Sequence, residues 1–399
     1  MVTRLKSDKL IVGESLISGY VYVHDRGLIT AVTSAELPYD TEYDYTGYYV
    51  APGFIDMHTH GGAGHEFFGT AEDIVQAANF HLSHGTTSIC PTISAAPLSV
   101  MKKSVEEVRK AMNDIALESN IIGLHLEGPY LSAEQCGAQC PDFITPPISE
   151  DYKQLIDEAG NMIARWTYAP ENDANGEFCK YLTEHGIVAS AGHTNATYKE
   201  MQWAMESGCK LVTHLYSCTS TVTREFGFRR LGVIETTYLH DDMYAEIIAD
   251  GRHLPPELIR LILKIKGTDR VVLCTDSLAL AGTGVTEGIT LNVPFIVEDG
   301  VCKLKDRSAF AGSIATSDSL IRVMTREVGI DMVTAVKMLT KVPAEILKLN
   351  KGTLEAGKDA DIVVFDDEVN MYEVFVGGNV TMNGVVGVHT RKDVQGDER

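Results

Sequence analysis

Residues 121–130 read IIGLHLEGPY, an apolar run of strand length that ends on a carboxylate, Glu127, and turns sharply at Gly128 and Pro129. A strand with so few polar positions is buried on both faces, which is the situation of a parallel sheet covered by helices. The same pattern recurs on either side. FIDMH starts at Phe54 and TTSICPT at Thr86; IARWTYA starts at Ile163, IVASAG at Ile187, KLVTHL at Lys210, AEIIAD at Ala245 and VVLCTD at Val271. Each is followed by a helix-length segment with spaced apolar residues. Eight such units predict an α/β architecture, a closed (β/α)8 TIM-type barrel over residues 52–349. A doubly wound sheet would carry a glycine-rich phosphate loop after its first strand, and HTHGGAGHEF, residues 58–67, has no GxGxxG spacing.

The two ends of the chain have a different texture. From Lys9 to Val50 the residues alternate in short stretches broken at Gly13, Gly19 and Gly27. GTLEAGKDADIVVFD, residues 352–366, and MYEVFVGGNVTMNG, residues 371–384, are β-rich and turn-broken in the same way. Residues 1–51 and 350–399 are therefore expected to join as one small β-sandwich domain, with the barrel inserted between its halves.

Polar residues able to bind metals fall at the C-terminal ends of the apolar runs, the edge on which barrels build their sites. They are His58 and His60 after the first run, Glu127 after the third, His193 after the fifth, His214 after the sixth and Asp276 after the eighth. One histidine at a strand end is usually a hydrogen-bonded core residue; six ligand-type side chains at one edge point to a centre. His58 and His60 lie two apart, so both project to one side and can grip one ion, and Glu127 could bridge two. Asp276 can take a proton from an attacking water and deliver it to a leaving amine. The bland alternative for Asp276 is a helix cap. His253, just past the seventh run, could donate to a substrate carbonyl or another polar substituent. His65, His81, His84, His125 and His185 are read as structural, with His125 close enough to Glu127 to support it.

The net charge of -21 repels polyanions, which argues against nucleic acid and anionic membranes as partners and requires any anion-binding pocket to be locally positive. The eight cysteines include no CxxC pair, and reduced thiols in the cytoplasm are the expectation. MVTRLKSDKLIVGES at the N-terminus has no apolar signal core.

Taken together, APGFIDMHTHGGAG, GLHLEGPYLS, GAQCPDFI, SAGHTNAT, VTHLYS, ADGRHL, CTDS and FAGS resemble the N-acetylglucosamine-6-phosphate deacetylases of the amidohydrolase superfamily. The resemblance implies deacetylation of an N-acetylamino sugar 6-phosphate. Glu127, His193 and His214 would hold the main metal, and Asp276 would serve as base and acid. Members with the HxH pair bind two metals and others one, so one or two divalent ions are expected here, zinc first, with iron, manganese or cobalt acceptable to the same ligands. Gln139 occupies a substrate-side position. Where the family has Asn-Ala for the phosphate, this chain has Tyr216, Ser217 and Cys218. Arg224 matches an arginine that reaches the phosphate of a neighbouring subunit, implying a homodimer, although Phe226 replaces the family's proline. The altered loop keeps open a related amide, either N-acetylgalactosamine 6-phosphate or an unphosphorylated N-acyl sugar. A non-catalytic barrel should have lost a ligand or the base, and none is missing.

Overall fold

The structure, a computed structural model, describes residues 1–290, 293–383 and 392–393. Eight parallel strands run in chain order: Phe54–Thr59, Thr86–Ile93, Leu124–Glu127, Ile163–Tyr168, Val188–Ala191, Leu211–Val212, Tyr244–Ile248 and Val271–Cys274. Each pairs with its sequence neighbour. Between the eighth strand and the first, the Asp276 N–H donates to the His58 carbonyl at 2.9 Å and the Thr275 hydroxyl to the Asp56 carboxylate at 2.6 Å. Helices lie between successive strands. Ala71–Leu82 is an example: Thr70 and Asp73 form its capping box, and Ile74, Val75, Ala78 and Leu82 form its buried stripe at helical spacing.

The third strand is interrupted. Asn120–Ile121 pairs only with the second strand, and Gly123, at φ +130°, separates it from Leu124–Glu127. A Cβ at Gly123 would lie 2.7 Å from that of Ala164, so only glycine lets the third strand approach the fourth here.

Strands from both chain ends share one further sheet. Tyr49–Pro52 pairs antiparallel with Ile362–Phe365, which zips the two ends together. The first strand, Val2–Val12, forks the sheet by pairing with both Thr41–Asp44 and Tyr49–Pro52 along one side. Leu5, Leu10, Val21, Val50, Ile362 and Phe375 fill the core. This strand begins seven residues before Lys9, where alternation is first legible, because its early charges are paired: buried Arg4 meets Glu42 and stacks 3.8 Å above the Tyr39 ring.

Two insertions decorate the C-terminal edge of the barrel. One is an exposed hairpin, Thr223–Glu225 with Phe228–Arg230. The other is an antiparallel meander of Glu287–Thr290, Val293–Glu298 and Val301–Leu304, whose Phe295 and Cys302 pack with Leu278 and Ala311. Among the described residues, no helix is long and apolar enough to cross a membrane.

Candidate active site

The six strand-end residues meet at one point. Glu127 is central: its Oε1 lies 3.1 Å from His193 Nε2, 3.0 Å from His214 Nε2 and 3.4 Å from His58 Nε2, and its Oε2 lies 3.3 Å from His60 Nε2. Asp276 Oδ1 closes the cluster, 3.2 Å from His60 Nε2 and 3.4 Å from His58 Nε2. His58, Glu127, His193, His214 and Asp276 are all buried.

Hydrogen bonding at the far side of each ring says what its Nε2 can do. His193 Nδ1 lies 2.9 Å from the Gln135 carbonyl and His214 Nδ1 3.1 Å from the Ser217 carbonyl. Carbonyls only accept, so both protons sit on Nδ1 and both Nε2 atoms present bare lone pairs. Those two atoms are 3.1 Å apart and share Glu127 Oε1, which leaves three buried electron-rich atoms facing one another. His58 repeats the pattern: Nδ1 donates to Glu246 Oε1 at 2.9 Å, while Nε2 is buried with no hydrogen-bond partner among the described residues. Such an arrangement repels itself unless a cation fills it, and a nitrogen and oxygen donor set suits a divalent metal of borderline softness. The candidate sets are Glu127, His193 and His214 on one side and His58, His60 and Glu127 on the other, with ligand atoms within 4.8 Å of one another.

The proton affinities agree. Burial opposes a charged His58 most strongly, yet Glu127, Asp276 and Glu246 outweigh it and lift the ring to about 10. His60 follows to about 9 on its bonds to Asp276 and Glu127, again against burial. The imidazoles hold Glu127 well below the usual carboxylate range despite its burial. Among the imidazoles, His58, His60 and His193 are shifted towards holding a proton, whereas burial holds His214 below the ordinary imidazole value.

Local backbone conformation aims these side chains. His193, His214 and Asp276 have φ of 47°, 29° and 48°, left-handed values that cost a non-glycine residue roughly 1–2 kcal/mol. Neighbouring bonds hold them there: Ser132 N–H donates to the His193 carbonyl at 2.8 Å, and Ser313 N–H to the Asp276 carbonyl at 2.8 Å. The centre opens into a cavity of about 280 Å³ that Gln139, Ser217, Cys218, His253, Phe295 and Phe310 also line. Gln139 is held at both ends, donating to Glu127 Oε2 at 2.7 Å and accepting from Ala95 N–H at 2.8 Å. His253 keeps a proton on Nδ1 through Asp250 Oδ2 at 2.8 Å and packs edge-on against Phe310. Arg224 is not brought in; it sits on the exposed hairpin, and no lysine or arginine lines the cavity among the described residues.

The amidohydrolase family profile matches residues 49–387. The chain belongs to this family. Curated relatives include the N-acetylglucosamine-6-phosphate deacetylase of Bacillus subtilis, 30% identical over 92% of this chain and 93% of the relative. Another is the N-acetylgalactosamine-6-phosphate deacetylase of a Shewanella strain, 29% identical over 89% of this chain and 88% of the relative. Among solved structures, a variant of the Mycobacterium smegmatis N-acetyl-D-glucosamine-6-phosphate deacetylase in complex with N-acetyl-D-glucosamine-6-phosphate superposes with a TM-score of 0.87. It is 27% identical and covers 95% of this chain and 99% of its own.

In this amidohydrolase three polar groups bear on the site although the strand-end pattern did not single them out. Glu246 and Arg165 are fully buried inside the barrel beneath His58, and Asp250 orients His253. The legible signal for the first two was a charge within an apolar run, Arg165 in IARWTYA and Glu246 in AEIIAD. His125, read as structural, lies between Thr92 and Thr167 and meets the His58 ring edge-on at 4.5 Å.

Proposed function

We propose that this amidohydrolase cleaves the amide of N-acetyl-D-glucosamine 6-phosphate, giving D-glucosamine 6-phosphate and acetate. The observation that carries the reading is the convergence of bare imidazole nitrogens on Glu127, beside Asp276 and at the floor of a cavity of small-molecule size. Glu127, His193 and His214 hold the first divalent ion, zinc being the leading candidate, and His58 and His60 offer a second position. When bound, such an ion supplies Lewis acidity to the amide carbonyl and to an attacking water. Asp276 takes a proton from that water as its oxygen bonds to the acyl carbon. It returns the proton to the amine nitrogen as the C–N bond breaks. His253 directs its remaining ring nitrogen at a substrate oxygen, and Gln139 keeps Glu127 aligned.

The phosphate end needs a positive charge, and among the described residues of one chain none lining the cavity supplies it. Ser217 and Cys218 line that cavity beside backbone N–H groups, and Arg224 on the hairpin supplies the charge from a second copy in a homodimer. Phe226 at 94% exposure and Phe228 at 74% on the same hairpin support it as a contact surface. Free thiols throughout support a reducing, cytoplasmic setting.

The test compares kcat/KM for acetate release from phosphorylated and unphosphorylated N-acetylglucosamine. A strong preference for the phosphorylated sugar is expected, and Arg224→Ala should erase most of it through KM. Equal rates on both sugars would refute the phosphate reading. A second reading, the galacto epimer, is supported by the 29% identity to the Shewanella N-acetylgalactosamine-6-phosphate deacetylase, and a higher kcat/KM on N-acetylgalactosamine 6-phosphate would establish it.

A further inference from the structure

The buried pair beneath the centre does more than fill the barrel. Glu246, on the seventh strand, accepts from His58 Nδ1 at 2.9 Å and from the backbone N–H of His214 at 3.2 Å, both through Oε1. One carboxylate oxygen thus touches a ligand from each candidate ion position. Arg165, on the fourth strand, holds that carboxylate with two N–H groups, one on Oε1 at 3.0 Å and one on Oε2. Its other three donors reach Ser190 Oγ at 3.0 Å, Thr213 Oγ1 at 2.8 Å and the Met57 carbonyl at 3.4 Å. All five guanidinium N–H groups are matched, so the pair is locked in one geometry by four strands. His58, Glu246 and Cys274 have the spacing of a third metal cluster, but Arg165 already places its positive charge on both Glu246 oxygens and leaves a cation no room there.

We propose that Arg165 and Glu246 form a positioning unit for the metal centre: Glu246 fixes the His58 proton on Nδ1, leaves Nε2 bare, and anchors the left-handed turn at His214. Neither residue touches substrate. The inference rests on the reading of the site as a metal-dependent deacetylase, and it concerns how strongly the chain's own ligands hold an ion. Because the pair works by presenting an acceptor, its charge should be dispensable while its oxygen should not be. A buried ion pair replaced by apolar residues of similar volume commonly leaves the fold intact. Loss of a group that orients a metal ligand typically costs 10–100-fold in metal affinity.

Two charge-balanced double variants separate these roles. In Arg165→Met/Glu246→Leu, His58 Nδ1 and the His214 N–H lose their acceptor. In Arg165→Met/Glu246→Gln, the amide oxygen can still accept from both. Ion count and affinity are read by cobalt titration against a competing chelator, with visible absorption reporting ligand geometry. The leucine variant is expected to bind the His58-held ion at least about 10-fold more weakly, and the glutamine variant to recover most of that loss. Wild-type affinity and spectrum in the leucine variant, or a glutamine variant no better than the leucine one, would overturn the proposal. Should neither variant fold, ring 15N shifts of His58 in the cobalt-free, zinc-loaded wild-type protein decide: a proton on Nδ1 supports the unit and a proton on Nε2 overturns it. Acetate release by the wild type is scored separately, so a protein that binds ions as expected yet releases no acetate defeats the deacetylase reading alone.

Discussion

Asp276→Asn isolates proton transfer from everything else the residue does. The substitution preserves size, and asparagine tolerates the φ of 48° that this position requires. The bonds anchoring the turn, from Asp276 N–H to the His58 carbonyl at 2.9 Å and from Ser313 N–H to the Asp276 carbonyl at 2.8 Å, are backbone bonds and survive. What disappears is a carboxylate that can accept a proton. A positioned general base contributes about 10²–10⁴ in rate, so kcat should fall by that factor, about 2.7–5.4 kcal/mol in barrier. Asp276→Ala should lose a comparable rate and melt lower than the asparagine variant, because alanine adopts this left-handed φ less readily than aspartate or asparagine. The assay is acetate release at saturating metal, with ion content verified, since Asp276 Oδ1 lies 3.2 Å from His60 Nε2 and its loss could loosen an ion. Thermal melting runs alongside. An asparagine variant that keeps its ions and retains kcat within about tenfold would mean that another group moves the proton, and the role given to Asp276 would fall.

Three further outcomes are expected. Gly137→Ala forces a side chain into a left-handed position, φ 58°, and sets its Cβ 2.5 Å from Cys218 Sγ; KM should rise, and adding Cys218→Ala should relieve the clash but leave the strain. Exhaustive chelation should lower the melting temperature reversibly, because an ion held at 1,000 times its dissociation constant adds about 4 kcal/mol; an unchanged melt after verified ion loss would contradict the donor geometry. Asp318, buried, takes Arg322 at 2.8 Å and His84 at 3.1 Å, and these partners, against the opposing pull of burial, hold its carboxyl below the ordinary 3.8. A depressed pKa stabilises above the unfolded value and loses that contribution as pH falls through the folded one, so Asp318→Asn should cost about 1.5–3 kcal/mol in denaturant melts near neutrality and progressively less as the pH is taken down below the unfolded carboxyl value.

The barrel was readable because burial on both faces leaves a strand no choice but apolar residues, and Ile89, Trp166, Ala189, Val212, Ile247 and Leu273 sit as that requires. The candidate site was legible because ligand-type polar residues interrupt that pattern at the C-terminal ends of the first, third, fifth, sixth and eighth strands. Elements whose residues answer to local partners were harder to see. The meander of Glu287–Thr290, Val293–Glu298 and Val301–Leu304 packs on a small apolar patch of its own, and the hairpin at 223–230 has exposed strands with no buried face to impose a period. Arg165 and Glu246 were visible as charges in apolar runs, but only the fold shows that each is the other's partner, across 81 residues of sequence.

The left-handed residues connect these observations. Among the described non-glycine residues with positive φ, His193, His214, Tyr216, Cys218 and Asp276 all belong to the site, although such conformations are rare outside glycine. In each ligand turn the strand has just ended, and one left-handed residue bends the side chain from the barrel wall towards its axis. A relaxed loop would point the imidazoles elsewhere. Strain of this kind persists only where surrounding bonds over-determine it, and here they come from fully buried groups: Glu246 beneath His214, Ser313 beside Asp276 and Thr194 N–H on the Cys218 carbonyl. Strain, bare nitrogens and buried charge therefore have one common resolution, a cation at the meeting point, and the interior of the barrel is polar where it is because it supports that position.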